Sequence, residues 1–171
     1  MNRCECDIHQ VTIEISDPGA FLETIRLIGA RWCTHLIFFN ADLMAGRLHA
    51  LSALSHAFRA EAEGCMISSR VEMEALLFAS GSRQCQTGMR FGLKEGKNNA
   101  YLCICPPSGG AYEEILPLLT PSEEDWDTIS PEKSETLAEN FGITPAEIEA
   151  AGPGRMVDLV LERVALLEVY R

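Results

Sequence analysis

The sequence lacks the features that would place the protein in a membrane or outside the cell. No apolar run approaches the roughly 20 residues of a membrane-spanning helix, and the amino terminus has no basic-then-apolar secretion signal. The sequence also has no internal repeat and no low-complexity segment. We therefore expect a soluble, cytoplasmic protein. Its 171 residues, 47% hydrophobic and 23% charged, are typical of a single globular domain over residues 1–171.

Basic side chains are scarce. The 14 lysines and arginines are outnumbered by 25 acidic residues, and the resulting net charge of −11 argues against a nucleic-acid partner. The charge is uneven, however, because residues 47–97 carry seven basic groups against five acidic ones. This stretch is a locally basic region on an acidic protein, and it is where we look for an anionic partner.

The seven cysteines are an odd count in a chain long enough to fold without disulfides. We predict reduced thiols, and we expect Cys103 and Cys105 to be core thiols because they alternate within an apolar strand. Cys4-x-Cys6-x-x-His9 resembles half of a metal site, but zinc needs four ligands and no matching pair follows at the usual spacing. We interpret it as a surface strand with incidental thiols, and we predict no metal and no cofactor.

The order of predicted elements indicates an α/β fold. Alternating or apolar segments predict strands at residues 9–15, 34–40 and 100–105. Asp17 and Pro18 predict a helix start between the first two, which makes a strand–helix–strand crossover with parallel pairing as one option. Further helices are predicted at 111–119, 131–142, 144–151 and 156–170. We expect a mixed α+β arrangement, with a small central sheet of about four strands covered by several helices.

Residues 40–94 predict three consecutive helices. The first, residues 42–62, has an apolar stripe on one side and His49, His56 and Arg59 on the other. The second, residues 70–80, is apolar almost all round and should be deeply buried. Ser69 and Glu72 fit a capping box at its start. A third helix should open at residues 82–84 and stop at Gly92.

This stretch supplies candidate anion-binding side chains. Arg70 and Arg83 lie at predicted helix starts, where exposed backbone N–H groups also favour anions. A guanidinium fork suits phosphate, and histidine or glutamine edges can contact a base. The candidate set is Arg59, Arg70, Arg83, Lys94, Gln84, His49 and His56. The alternative is that these arginines are solvated or ion-paired surface residues, as Arg59 with Glu63 would be at a spacing of four.

No catalytic arrangement is evident. His49 and His56 are seven residues apart, roughly 10 Å along a helix, which is not the spacing of a helical ligand pair. Ser108-Gly109-Gly110 lacks the rest of a phosphate-binding motif. We predict that the protein is not an enzyme. The alternative is a small-molecule-binding or thiol-dependent enzyme domain with a cleft at the strand ends.

Three segments carry a family resemblance: DLMAGRLHALSALSHAFRA, ISSRVEMEALLFASGSRQ and FGLKEG. Together they resemble the kinase-binding subunit of KEOPS, the PRPK-binding protein (TPRKB) family; KEOPS makes threonylcarbamoyladenosine in tRNA. The resemblance also covers the amino-terminal strand–helix unit, FGITPAEIEA and LVLERVALLEV, and so spans nearly the whole chain.

The resemblance implies a non-catalytic regulatory subunit that docks on the atypical kinase/ATPase of KEOPS, stimulates it, and contacts the 3′ CCA tail of tRNA. The residues that match the family motif are Arg83 and Gln84, with Arg70 in the preceding turn; the ISSR turn departs from the family's asparagine-containing turn. The other RNA-binding candidates rest on side-chain chemistry alone. The final helix has a second apolar set beside its core stripe, and we expect Leu159, Leu166 and Tyr170 in it to bind the kinase.

Overall fold

A single antiparallel sheet forms the centre of the computed structural model, which describes residues 4–170. Its four strands are arranged in the order β2-β3-β1-β4. They are β1 (Asp7–Ile15), β2 (His35–Asn40), β3 (Gly96–Cys105) and β4 (Thr120–Pro121). The predicted α/β class with about four strands is confirmed. The fourth strand lies in the acidic segment 119–130, outside the three strand positions that the sequence predicts.

The crossover at the amino terminus is confirmed, but the two strands that it joins do not pair. Helix α1 (Pro18–Arg31) begins where predicted, with the Asp17 carboxylate accepting a hydrogen bond from the Ala20 N–H at 3.1 Å. Strand β3 lies between β1 and β2 and pairs antiparallel with both. Parallel pairing of β1 with β2 is therefore wrong. Strand β2 lies at the edge of the sheet although its sequence is apolar. Helices on both faces account for its burial.

Helices cover the sheet on both sides. On one face, Leu36, Phe38, Leu102 and Ile104 pack with α1 and α5 (Gly109–Ile115). On the other face, Ile37, Phe39, Tyr101 and Cys103 belong to an apolar cluster with residues of α2 (Arg47–Ala62), α3 (Val71–Ser80), α6 (Pro131–Phe141), α7 (Pro145–Ala151) and α8 (Met156–Val169). The short α4 (Cys85–Met89) contacts α3, and 3-10 turns lie at Ala41–Leu43 and Leu116–Leu118. Within residues 4–170 no helix is long and apolar enough to cross a membrane.

Helix α2 starts later than predicted. The expected start at Asp42 is a 3-10 turn, and the α-helix begins only after Gly46, whose φ of +83° lies in the left-handed region that favours glycine. The Arg47 N–H at the helix start donates to the Asp127 carboxylate at 2.7 Å. The acidic segment therefore supplies the cap that the local sequence lacks.

The predicted capping box at α3 is wrong. Arg70, not Ser69, is the N-cap residue, and no side chain caps it. The Glu72 carboxylate accepts a hydrogen bond from His35 Nδ1 at 2.8 Å. The completely buried carboxylate of Glu74 fixes the preceding loop instead, because it accepts from the Ile67 N–H at 3.0 Å and from the Ser68 N–H at 2.9 Å.

Candidate functional site

Three of the predicted RNA-binding side chains meet at the carboxyl end of α8. His56 Nδ1 lies 2.7 Å from Glu168 Oε2, and Arg59 Nη1 lies 3.3 Å from Glu168 Oε1. Arg83 Nη1 donates to the Tyr170 carbonyl at 2.9 Å. We call these five residues the α8-end cluster. They come from α2, from the turn after α3 and from α8, so only the tertiary fold brings them together.

The charge at the centre of this cluster is negative. Burial by itself would raise the pKa of Glu168, but the charges of His56 and Arg59 and their hydrogen bonds hold that pKa below its usual value. Glu168 is therefore ionised at neutral pH. Arg59 is an ion-paired surface residue, which was the alternative to an RNA-binding role, but its partner is Glu168 and not Glu63. Any anion that binds here must compete with this carboxylate.

Gln84 extends the cluster along the surface. It directly follows Arg83, its side chain is exposed, and its backbone N–H donates to Ser82 Oγ at 3.1 Å. It is the N-cap residue of α4, a helix of only five residues. Because so short a helix has little macrodipole, any anion binding here depends on the side chains and not on the helix end.

Arg70 and Lys94 lie apart from the cluster. Arg70 precedes α3 whereas Arg83 follows it, and a ten-residue helix is about 15 Å long. Arg70 Nε is 3.5 Å from Glu72 Oε2. Lys94 is exposed in the turn before β3, where its backbone N–H donates to Asn98 Oδ1 at 2.9 Å. The seven predicted residues therefore do not form one site.

His49 is a structural residue, so its predicted role in RNA contact is not kept. The side chain is completely buried. Nδ1 accepts from the Ala45 N–H at 3.0 Å, and Nε2 donates to the Ala79 carbonyl at 2.8 Å. Burial lowers the pKa of His49 to about 4, so the ring is neutral. The polar stripe of α2 misled the prediction because α3 covers most of that stripe: His49 bonds to the Ala79 carbonyl and the His56 ring stacks on Phe78.

The candidate kinase-binding residues lie along one flank of α8. Leu159 and Leu166 are half-buried and Tyr170 is 69% exposed. At about 100° per residue these three point in nearly the same direction, and Glu168 lies about half a turn away from Leu159. The neighbouring Val169, which the sequence analysis missed, is 72% exposed. The apolar flank and the charged flank are thus on opposite sides of one helix.

A groove of about 580 Å³ runs beside the edge strand β2. It was expected at the strand ends, but it lies between the sheet edge and helices α1, α3 and α4. His35, Arg70 and Glu72 line one part of it. The hydrogen bond that His35 donates to the Glu72 carboxylate raises the pKa of His35 above its usual value. Burial opposes ionisation of Glu72, yet its bond to His35 and the charge of Arg70 bring its pKa down to about 2.

The prediction of reduced thiols is wrong for one pair. A disulfide joins Cys6 to Cys105, while Cys103 is a buried thiol as predicted. Cys4 Sγ lies 3.0 Å from Cys6 Sγ. His9 is not part of this group, because its ring stacks on Tyr112 with centroids 4.2 Å apart. The expected core thiol at Cys105 is instead disulfide-bonded, because the register of β3 against β1 sets it opposite Cys6, and alternation along one strand does not give that register.

The fold and these surfaces define a small α/β protein with exposed apolar and charged faces of the kind that bind partners. Residues 24–168 match the family model described as "Kinase binding protein CGI-121". Because the match covers well over half of the sequence, the chain belongs to the CGI-121 family of kinase-binding proteins, and the predicted family is confirmed. No curated protein matches the chain.

Proposed function

We propose that this protein is a non-catalytic regulatory subunit of the KEOPS complex. It binds and stimulates the atypical kinase/ATPase subunit, and it recruits tRNA through the 3′ CCA tail for threonylcarbamoyladenosine modification. The observation that carries the proposal is the kinase-binding family match over residues 24–168. The two different flanks of α8 support it. One flank is apolar, and the other, at Glu168, faces the basic side chains of α2.

The kinase docks on the apolar flank of α8. Tyr170 and Val169 are the most exposed apolar side chains on this helix, and Leu166 continues the flank towards the core. Aromatic anchors that become fully desolvated contribute most to the free energy of such interfaces. Leu159 packs against the core, so it supports the flank from below and contributes less contact area.

The tRNA tail binds at the α8-end cluster and Gln84. The guanidinium groups of Arg59 and Arg83 contact phosphates, and the edges of His56 and Gln84 contact bases. Glu168 competes for the same cations, so binding is weak and falls with salt. Weak binding suits a subunit whose partners hold other parts of the same tRNA. Arg70 and Lys94 contribute through their long-range charge only.

The test is binding of the purified protein to full-length tRNA and to tRNA that lacks its CCA end, each across a salt series. We expect affinity to depend on the tail and to decrease with salt. Equal, poor binding of both RNAs would leave a kinase-docking subunit without a role in tRNA recruitment. A parallel assay measures ATP hydrolysis by the kinase subunit, which should increase when this protein is added.

A second candidate function is small-molecule binding in the groove beside β2. The observation that favours it is the groove itself, with the exposed thiol of Cys33 and the imidazole of His35 among its lining residues. A thiol-dependent reaction requires Cys33 to be unusually nucleophilic. Iodoacetamide alkylation measured by mass spectrometry checks this. A rate for Cys33 no higher than that of the exposed Cys85 excludes thiol chemistry in the groove.

A further inference from the structure

Four of the seven cysteines pack into the same apolar cluster, on the face of the sheet that α2, α3 and α8 cover. Two precede β1 and two end β3. Asp7 pairs with Ile104, so the antiparallel register continued by one residue sets Cys6 opposite Cys105. Their Cα atoms are 4.5 Å apart. The four cysteines are Cys4, Cys6, Cys103 and Cys105.

Three of the sulfur atoms lie close together, two of them joined as the disulfide. The Sγ atoms of Cys4, Cys6 and Cys105 all lie within 4.8 Å of one another. Thiolates bound tetrahedrally to one Zn²⁺ at about 2.3 Å lie about 3.8 Å from each other. The β1–β3 ladder sets the Cys6 and Cys105 backbones opposite each other, and Cys4 lies two residues before Cys6, so after reduction small side-chain rotations would bring the three sulfur atoms to this spacing.

The surroundings suit a soft, positively charged ligand. Cys4 is half-buried, so this side of the group is partly exposed to solvent, from which a fourth ligand such as water would come. Three thiolates around a divalent ion carry a net charge of −1. The Arg47 guanidinium, which donates to the Ile8 carbonyl at 2.9 Å, supplies a positive charge beside the start of β1.

We propose that the reduced chain binds a thiophilic metal ion of the Zn²⁺ class through the Sγ atoms of Cys4, Cys6 and Cys105, and that the Cys6–Cys105 disulfide is the closed state of this site. Metal binding displaces the thiol protons. Disulfide formation transfers two electrons and two protons from Cys6 and Cys105 to an oxidant such as an azo compound, and a phosphine reverses it. The two states exclude each other because both use the same two sulfur atoms.

The test uses the full chain, reduced with a phosphine in the absence of oxygen and titrated with Co²⁺, whose thiolate complexes absorb strongly in the near ultraviolet. We expect one equivalent to bind and Zn²⁺ to displace it. Cys4→Ser should weaken binding at least about tenfold, since the loss of even an outer-shell partner costs 10- to 100-fold. Cys4 lies outside β1, so Cys4→Ser should keep the fold. Cys105→Ser is a second variant that should also weaken binding. Circular dichroism checks that both variants are folded.

The exposed thiols Cys33 and Cys85 provide the matched control. The double variant Cys33→Ser/Cys85→Ser should bind Co²⁺ as the unmodified chain does, and the chain oxidised to the disulfide should bind none. The proposal is overturned if the reduced chain does not bind Co²⁺. It is also overturned if binding survives Cys4→Ser unchanged, is lost in the control variant, or persists after oxidation.

Discussion

The Arg83 guanidinium donates a hydrogen bond to the backbone carbonyl of Tyr170, with 2.9 Å between Nη1 and the oxygen. Helix α8 ends at Val169, so this carbonyl belongs to the helix end, where carbonyls lack helical partners and the dipole is negative. Arg83 therefore caps the helix that carries the proposed kinase-binding residues. The same side chain belongs to the proposed RNA contact, so the two surfaces meet at this bond.

Replacing Arg83 tests the RNA contact. Arg83→Ala should weaken tRNA binding about three- to tenfold at low salt, and it should reduce the slope of log affinity against log salt by about 0.7, the value for one phosphate contact on a single strand. Fluorescence anisotropy with labelled tRNA measures both. Arg26→Ala on α1 is the control, because Arg26 is 51% exposed and its helix covers the opposite face of the sheet. An equal loss in both variants would show that only net charge matters.

Removing the carboxylate at the centre of the α8-end cluster should have the opposite effect. Glu168→Gln frees Arg59 and His56 from their acidic partner, so tRNA affinity should rise several-fold at low salt, while stability changes by about 0–1 kcal/mol. Glu113→Gln on α5 changes the net charge equally at an exposed position elsewhere. The prediction is wrong if tRNA affinity rises equally in Glu168→Gln and Glu113→Gln.

The apolar flank of α8 gives a separate prediction for kinase binding. Tyr170→Ala should weaken binding of the kinase subunit by about 1–2 kcal/mol, as truncation of an aromatic interface anchor does. Calorimetry with the purified kinase subunit measures it. Leu27→Ala on α1 is the matched control, since Leu27 is 57% exposed and on the other side of the sheet. If kinase binding weakened only in Leu27→Ala, the kinase would dock on α1 and not on α8.

His49 and His56 should differ in stability experiments. His49→Ala leaves the Ala45 N–H and the Ala79 carbonyl without partners and opens a cavity, so we expect the free energy of unfolding to fall by about 2–5 kcal/mol. His56→Ala should cost less, because the His56 side chain keeps 15% exposure and its Nδ1 pairs with a partly exposed carboxylate, whereas His49 is completely buried. Urea unfolding measures both. Equal losses would contradict the assignment of His49 as the structural residue.

The pair formed by His35 and Glu72 predicts a pH dependence of stability. Its His35 contribution is fully present below the unfolded pKa near 6.5 and is lost as pH rises through the raised folded pKa. The Glu72 contribution is present above the unfolded value of 4.5 and is lost as pH falls towards about 2. The pair thus stabilises most between these two unfolded values.

Urea unfolding at pH 5.5 and pH 8.5 tests this dependence. The free energy lost between the two pH values should be smaller in Glu72→Gln than in the unmodified chain, because the raised pKa of His35 depends first on this carboxylate. Glu61→Gln, which changes a nearby exposed charge without breaking the bond, should keep most of the dependence. An unchanged dependence in Glu72→Gln would contradict the prediction.

Local signals were sufficient for much of the fold. Asp17 and Pro18 start α1, and Gly81 ends α3 in the left-handed conformation. Thr144 and Glu147 form a capping box at the start of α7, where a helix over residues 144–151 is predicted. Each of these depends on residues within about four positions of one another. That is why the sequence alone predicts them correctly.

The parts that the sequence did not predict depend on distant partners. Arg59 meets Glu168 from 109 positions away, and Cys6 meets Cys105 across 99 positions. The cap of α2 comes from Asp127 on another segment. Helical or strand periodicity gives the direction of a side chain but not what covers it, and so His49 and His56 were indistinguishable on the same stripe.

The strand order β2-β3-β1-β4 has a consequence for the order in which the chain folds. Strands β1 and β2 are made first, yet neither hydrogen-bonds to the other, and both wait for β3 at Gly96–Cys105. A ribosome must therefore reach Cys105, about three fifths of the 171 residues, before the ladders of β3 are complete. Such non-local pairing slows folding. Until β3 is made, the edges of β1 and β2 that it will cover have no strand partner in the nascent chain.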